Sequence, residues 1–255
     1  MVTGLGSTET APMAMQTKWE TGHPGVIGIP VPGVELKLVP RDGKLEARFR
    51  GPNITPGYWR ETELTQQAFD AEGFYKIGDA VRFVDSRDVN KGFLFDGRFS
   101  EDFKLSTGTW VSVGPLRSKI LSHFSPLVRD VAVAGHDRDE VGLLVFADAH
   151  ACRTLCGSRA SNLPDHAVVR DPAVRARFQA LLESFAARST GSSNRVTRAI
   201  FLEEPPSLDA GEVTEKGSLN QRAVLERRKA LVEELYGTEL SQRVLRIRQP
   251  VEKKC

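Results

Sequence analysis

The feature that most constrains this chain is a change of texture near residue 98. Up to that point the sequence is broken by Gly and Pro into short pieces. Residues 22–60 are especially rich in both. Val34-Glu35-Leu36-Lys37-Leu38-Val39 alternates apolar and polar side chains, as a half-buried strand does. Arg41-Asp42-Gly43-Lys44 reads as a turn and Leu45-Glu46-Ala47-Arg48-Phe49 as its hairpin partner. A short helix is expected over Thr62–Phe69, then a strand pair over Val81–Asp85 and Gly92–Asp96. So the first part is mostly β.

After Gly97-Arg98 strands alternate with helices. Leu116–His123 reads as a helix, and Val128–Ala134 and Val141–Ala147 as strands joined by the charged turn His136–Glu140. Asp171-Pro172 opens the clearest helix, with Asp171 as N-cap and Pro172 in the first turn. Its apolar positions Val174, Phe178, Leu181, Leu182 and Phe185 lie on one stripe. Arg195–Glu203 reads as a third strand and Asn220–Tyr236 as one final amphipathic helix. The expected boundary lies near Arg98–Ser100. It gives domains of 1–98 and 99–240, with a polar, basic, frayed tail over 241–255.

Composition narrows the function classes. The 255 residues are 40% hydrophobic and 27% charged, as in ordinary globular chains. A net charge of +2 calls for neither nucleic acid nor a membrane surface as partner. The apolar run Val141–Ala147 is strand-sized, too short to cross a bilayer. The three cysteines, Cys152, Cys156 and Cys255, are too few and odd in number for a disulfide framework, and a cytoplasmic setting is expected. Cys152 and Cys156 with His150 make an incomplete metal set, or else the two thiols are small buried hydrophobes on a helix.

Four stretches stand out in order. They are Gly4-Leu5-Gly6-Ser7-Thr8-Glu9; Gly51-Pro52-Asn53-Ile54-Thr55-Pro56-Gly57-Tyr58-Trp59 with Gly73-Phe74-Tyr75-Lys76-Ile77-Gly78-Asp79; Gly97-Arg98-Phe99-Ser100-Glu101-Asp102-Phe103-Lys104 running on to Thr107-Gly108-Thr109-Trp110-Val111; and Thr214-Glu215-Lys216-Gly217 through Arg222. Each alone is weak. By themselves Ser7-Thr8-Glu9 reads as a turn or helix cap, Gly78-Asp79 as a turn, Arg98 and Lys216 as solvated charges, and Trp110 equally as a core aromatic.

Together, in this order, they resemble the adenylate-forming superfamily of acyl-CoA synthetases, luciferases and peptide-synthetase adenylation domains, over Gly4 to about Tyr236. Glu101-Asp102-Phe103-Lys104, Gly108–Gly114 and Asn220-Gln221-Arg222 resemble the feruloyl-CoA synthase branch. The resemblance implies a mixed α/β fold: the β-rich end of the large N-terminal domain, then a small, compact, mobile C-terminal domain. It implies that ATP and a small-molecule carboxylic acid form an acyl-adenylate, which coenzyme A then takes as thioester. Both steps crowd negative charge, so cations, donors and magnesium are needed. The family roles map onto Thr8 (phosphate hydroxyl), Glu9 (magnesium carboxylate), Asp79 and Arg98 (ribose), Ser100 (hinge), Lys104, Gly108 and Trp110 (coenzyme A loop) and Lys216 (catalytic lysine).

The match has departures. Gly217 follows the lysine where many members place a glycine before it. Ser100 replaces a charged hinge residue, and Pro115-Leu116-Arg117 replaces Glu-x-Glu. The family's phosphate loop ending in Gly-x-Pro-Lys does not occur in these residues. A missing N-terminal segment, on the same chain or a separate one, is therefore expected as a partner, as is a chain inactive alone. The alternatives are a non-catalytic remnant of the fold, or an adenylation domain serving a carrier protein or a reductase. Limited proteolysis is expected to leave a resistant core beginning near residue 100. A resistant core formed by residues 1–97 would contradict the boundary.

Overall fold

The structure, a computed structural model, describes residues 2–22, 25–157, 163–215, 217–238 and 241–247. The chain forms two compact units, Met1–Asp102 and Phe103–Cys255. Among the described residues no helix is long and apolar enough to cross a membrane.

Unit 1 is built on one antiparallel sheet. Its strands are β1 (Gly4–Leu5), β2 (Met15–Gln16), β3 (Val26–Pro30), β4 (Glu35–Arg41), β5 (Lys44–Arg50), β6 (Tyr75–Phe83) and β7 (Phe93–Arg98), with helix α1 (Thr62–Ala68) between β5 and β6. The strand order is β1-β2-β3-β7-β6-β5-β4. The β4–β5 hairpin turns at Asp42-Gly43, both at positive φ, the geometry a two-residue hairpin of right-handed twist requires. On β5, Ala47 and Phe49 face a core with Met15, Ile27, Val81 and Phe93. Glu46 is also buried, and Arg48 donates to it at 2.6 and 3.0 Å. The expected strand at Val81 begins six residues earlier, at Tyr75, so Gly78-Asp79 lies within the strand rather than in a turn.

Unit 2 starts with a small ribbon, β8 (Phe103–Lys104) and β9 (Trp110–Val111). Then come α2 (Val113–Phe124), β10 (Val128–Ala134), β11 (Val141–Ala147), α3 (Ala149–Cys156), α4 (Asp165–Val168), α5 (Pro172–Ala187), β12 (Val196–Phe201), α6 (Gln221–Arg227), α7 (Lys229–Tyr236) and β13 (Val244–Arg246). The sheet order is β10-β11-β12-β13, with only β11–β12 parallel. One face packs Val131, Val133, Leu143 and Val145 against α2, α3 and α5; the other packs Ala132, Leu144 and Ile200 against α6 and α7. Burial on both faces is why β11 reads as an unbroken apolar run. Gly142 is needed for space: a Cβ there would lie 2.7 Å from Leu235 and 2.9 Å from the Tyr236 hydroxyl.

Four local expectations change. Helix α2 begins at Val113, three residues early, because Pro115 falls in the first turn, where no helical partner is lost. The α5 stripe is graded: Val174, Phe178 and Leu182 are buried, whereas Leu181 and Phe185 are partly so. The tail is not wholly frayed, since Val244–Arg246 pairs antiparallel with β12; residues 248–255 lie outside the described residues. The final helix is two helices, broken at Arg228 (φ −99°, ψ 29°).

The break has a tertiary cause. Glu212 is fully buried, and Arg228 clamps it with two bonds of 2.8 and 2.9 Å. Arg227 (2.9 Å) and the Ser207 N–H (2.8 Å) complete its shell. The hydrogen bonds from Arg228 hold Glu212 down at about 2. Its contribution is therefore complete above the ordinary glutamate range and is lost as pH falls from 4.5 towards 2. Glu212→Ala strands the buried Arg228 charge and should cost about 3–5 kcal/mol in urea unfolding at pH 7. The wild-type advantage should shrink below pH 4, and an equal difference at pH 7 and pH 3 would contradict this.

Candidate functional site

The candidate residues fall in both units, and each unit has its own local geometry. In unit 1 the first motif is a single 3₁₀ turn, Thr8–Thr10, so the cap reading of Ser7-Thr8-Glu9 describes its backbone. Thr10 Oγ1 accepts the Ser7 N–H at 2.8 Å. Thr8 is exposed and Glu9 half-buried.

The second motif is folded onto the first. The Thr55 N–H donates to the Glu9 carbonyl at 2.8 Å, and Asn53 Nδ2 donates to the Thr10 and Met13 carbonyls, each at 2.8 Å. Tyr58 donates its hydroxyl to Glu9 Oε1 at 3.0 Å. Burial pushes the Glu9 carboxyl up. Hydrogen bonds, that of Tyr58 among them, outweigh it and hold Glu9 below the ordinary glutamate value. Glu9 is thus an anion at neutral pH, with the oxygen chemistry a hard divalent cation takes. The sequence alone assigns Tyr58 no role. Its signal was present in Gly57-Tyr58-Trp59, but its partner lies 49 residues away.

Asp79 and Arg98 stand directly opposite one another, Asp79 on β6 and Arg98 at the end of β7. Arg98 Nε is 3.3 Å from Asp79 Oδ1. The carboxylate is buried (6% side-chain exposure) and the guanidinium open (61%). Burial pushes Asp79 up to about 6, against the pull of Arg98 and with a push from Glu101. A buried carboxylate with one weakly placed cation retains unused acceptor capacity, the property that binding a pair of hydroxyls requires. Beyond Arg98 the chain turns. Ser100 is exposed in that turn, and Asp102 is held on unit 1 by Lys44 at 2.5 Å.

In unit 2, Lys104 and Trp110 are cross-strand partners on β8–β9, with Lys104 Nζ 5.0 Å from the indole centroid. Trp110 is half-buried beneath an exposed lysine, so it is not the core aromatic that its residue type equally suggested. The connecting turn places Gly108 at φ +81°, a conformation that excludes most side chains, and its N–H donates to the Leu105 carbonyl at 2.9 Å. Lys216 lies outside the described residues. Its flanks form a tight turn: Thr214 N–H donates to the Ser218 carbonyl (2.9 Å) and Gly217 N–H to the Thr214 carbonyl (2.8 Å). Val213 and Leu219 bridge below them, and Glu212 anchors the base. Cys152 and Cys156, on the core-facing side of α3, are both buried as small hydrophobes.

The fold is that of adenylation domains. The A domain of carboxylic acid reductase from Segniliparus rugosus, solved in complex with AMP and a carboxylic acid, superposes with a TM-score of 0.71 at 24% identity, over 92% of this chain and 35% of that one. The family described as "AMP-binding enzyme C-terminal domain" matches residues 101–240, and the chain belongs to this adenylate-forming superfamily. Among curated relatives, anthranilate–CoA ligase of Pseudomonas aeruginosa is 33% identical over 138 residues, covering 51% of this chain and 26% of that protein. A probable chloroplastic acyl-activating enzyme 16 of Arabidopsis thaliana is 24% identical over 247 residues, covering 91% and 34%. The chain thus spans about a quarter to a third of the length of these relatives.

The raised Asp79 gives a stability signature. Its folded pKa exceeds the unfolded value, so the folded state binds the extra proton, and stability falls as pH rises from about 4 to about 6. Asp79→Asn should therefore be more stable than wild type at pH 7.5 by about 1–3 kcal/mol, with the difference vanishing near pH 4. Denaturant unfolding across this range checks it, and a destabilised Asn variant at pH 7.5 would contradict it.

Proposed function

We propose that this chain supplies part of an AMP-forming acid–thiol ligase, one that activates a carboxylic acid with ATP and passes the acyl group to coenzyme A. The observation that carries the reading is the Asp79–Arg98 pair: a buried, under-satisfied carboxylate facing an open arginine, from two motifs separated in sequence. In this reading Asp79 accepts the ribose hydroxyls and Arg98 reaches the same sugar. Glu9, ionised and steadied by Tyr58, holds magnesium beside Thr8 at the phosphates. Lys216 neutralises charge between acyl carboxylate and α-phosphate. Lys104, Gly108 and Trp110 form the loop along which coenzyme A approaches, and the turn at Ser100 is the hinge. The triphosphate cradle and most of the acyl pocket would come from residues outside these 255, on the same or a separate chain. The preferred acid is an aryl-propenoic acid of the ferulate kind, a choice resting on the sequence branch alone.

A second reading keeps the first half-reaction but gives the acyl group to a carrier-protein pantetheine or a reductase. The likeness to a reductase adenylation domain favours weighing it. Product analysis with coenzyme A and with a carrier protein separates the two.

The half-reactions test the residue roles. In a protein carrying the upstream portion, Lys216→Ala should lower ATP–pyrophosphate exchange by about 10²–10³ or more, yet largely spare thioester formation from presynthesised acyl-adenylate. Lys104→Ala and Gly108→Leu should do the reverse. Equal loss of both half-reactions in Lys216→Ala would refute the role of that lysine. Exchange catalysed by the 255 residues alone would refute the claim that the cradle lies elsewhere.

A further inference from the structure

Within unit 2, the β12–β13 edge of the sheet carries an arginine cluster with no assigned role. Arg198 on β12 and Arg246 on β13 are direct cross-strand partners. Like charges in that relation repel, and their persistence needs a cause. Part of it is local. Arg198 Nη1 donates to the Leu235 carbonyl at 3.1 Å and Arg246 Nη2 to the Gly237 carbonyl at 2.6 Å, both at the C-terminal end of α7, where cations are favoured. Glu140 pairs with Arg198.

The remainder is unexplained. The Nε groups of Arg198 and of Arg246 are both buried and have no hydrogen-bond partner. Among the described residues no carboxylate pairs with Arg246. A third arginine, the exposed Arg195, joins the same lining, with Thr197 and Ile247, around a cavity of about 310 Å³. The lining thus carries three guanidinium charges against one carboxylate, a surplus of two.

We infer that this cavity is an oxyanion site for a phosphate group. A phosphate dianion matches the surplus of two positive charges and presents several acceptors at once. The planar guanidinium fork suits its geometry, as a bidentate pair or as two arginines gripping one group. Its arrival separates the repelling Arg198–Arg246 pair by a shared counter-charge. The ligand is inorganic phosphate or the phosphate of a small monoester; the chemistry of recognition is the same. The cavity lies wholly within unit 2, on residues distinct from Asp79, Arg98, Lys104 and Lys216.

The test uses the chain as it is. Thermal unfolding is followed while inorganic phosphate is titrated against chloride at matched ionic strength, with methyl phosphate as a parallel arm. The midpoint should rise saturably with phosphate and not with chloride. A response to methyl phosphate as strong as to phosphate would mark a monoester site, and a weaker one a site for the free ion. Arg246→Gln should weaken the phosphate response about tenfold or more, the loss of one charged hydrogen-bonding partner. Arg195→Gln, an exposed change that leaves packing untouched, should weaken it less but measurably, and it decides the matter should Arg246→Gln fail to fold. Arg87→Gln, an exposed control in unit 1 that does not line the cavity, should leave it unchanged. The inference is overturned by a phosphate response no larger than that of chloride, by undiminished affinity in Arg195→Gln, or by an equal loss in Arg87→Gln.

Discussion

The register of one strand pair decides what unit 1 can do. Strands β6 and β7 are antiparallel, with an irregularity between Asp79 and Val81, and this sets Asp79 opposite Arg98 rather than one residue to either side. In an ordinary ladder a shift by one residue would turn the carboxylate to the other face. In this register the carboxylate is buried at the foot of an exposed guanidinium, and burial raises its proton affinity. A buried charge with a single long contact is costly, which marks this pair as a candidate binding site. The rest of unit 1 supports this register: the β4–β5 hairpin covers the far side of β6, and the Glu9–Tyr58 contact ties the first motif to the loop before α1.

Unit 2 rests on a different balance. Its sheet is apolar on both faces, and helices cover each. Among the described residues the buried charged groups of unit 2 are Glu212 and Arg228, which are hydrogen-bonded to each other and lie next to the 213–219 turn. A buried ion pair is a poor source of net stability against an apolar replacement, but it fixes geometry, since breaking it is expensive. Here it fixes where α6 ends, where α7 begins and how the 213–219 turn leaves the core.

Local signals were legible in the sequence and long-range ones were not. Asp171-Pro172 announced α5, the Asp42-Gly43 dipeptide announced a hairpin, and the Val141–Ala147 run announced a strand. These are consequences of neighbouring residues. The split between α6 and α7 could not be read that way, because it is imposed by a glutamate 16 residues before Arg228. The edge strand β13 hid in a basic tail, because three residues carry too little pattern and its pairing belongs to β12. At the candidate site the motifs gave the residues, and the fold supplied their pairing: Asp79 with Arg98, Glu9 with Tyr58, and Lys104 over Trp110. Trp110 shows the limit most plainly, for the same residue type serves a core or a surface loop, and only packing distinguishes them.

Nucleotide binding by unit 1 turns on whether Asp79 recognises ribose. The most direct measurement is the affinity of AMP and of 2′,3′-dideoxy-AMP for the protein carrying the upstream portion, in wild type and in Asp79→Ala. Wild type should prefer AMP by about tenfold to a hundredfold, the worth of hydrogen bonds to a charged acceptor, and Asp79→Ala should bind the two nucleotides almost equally. An unchanged preference in Asp79→Ala would place ribose recognition elsewhere and contradict the central claim.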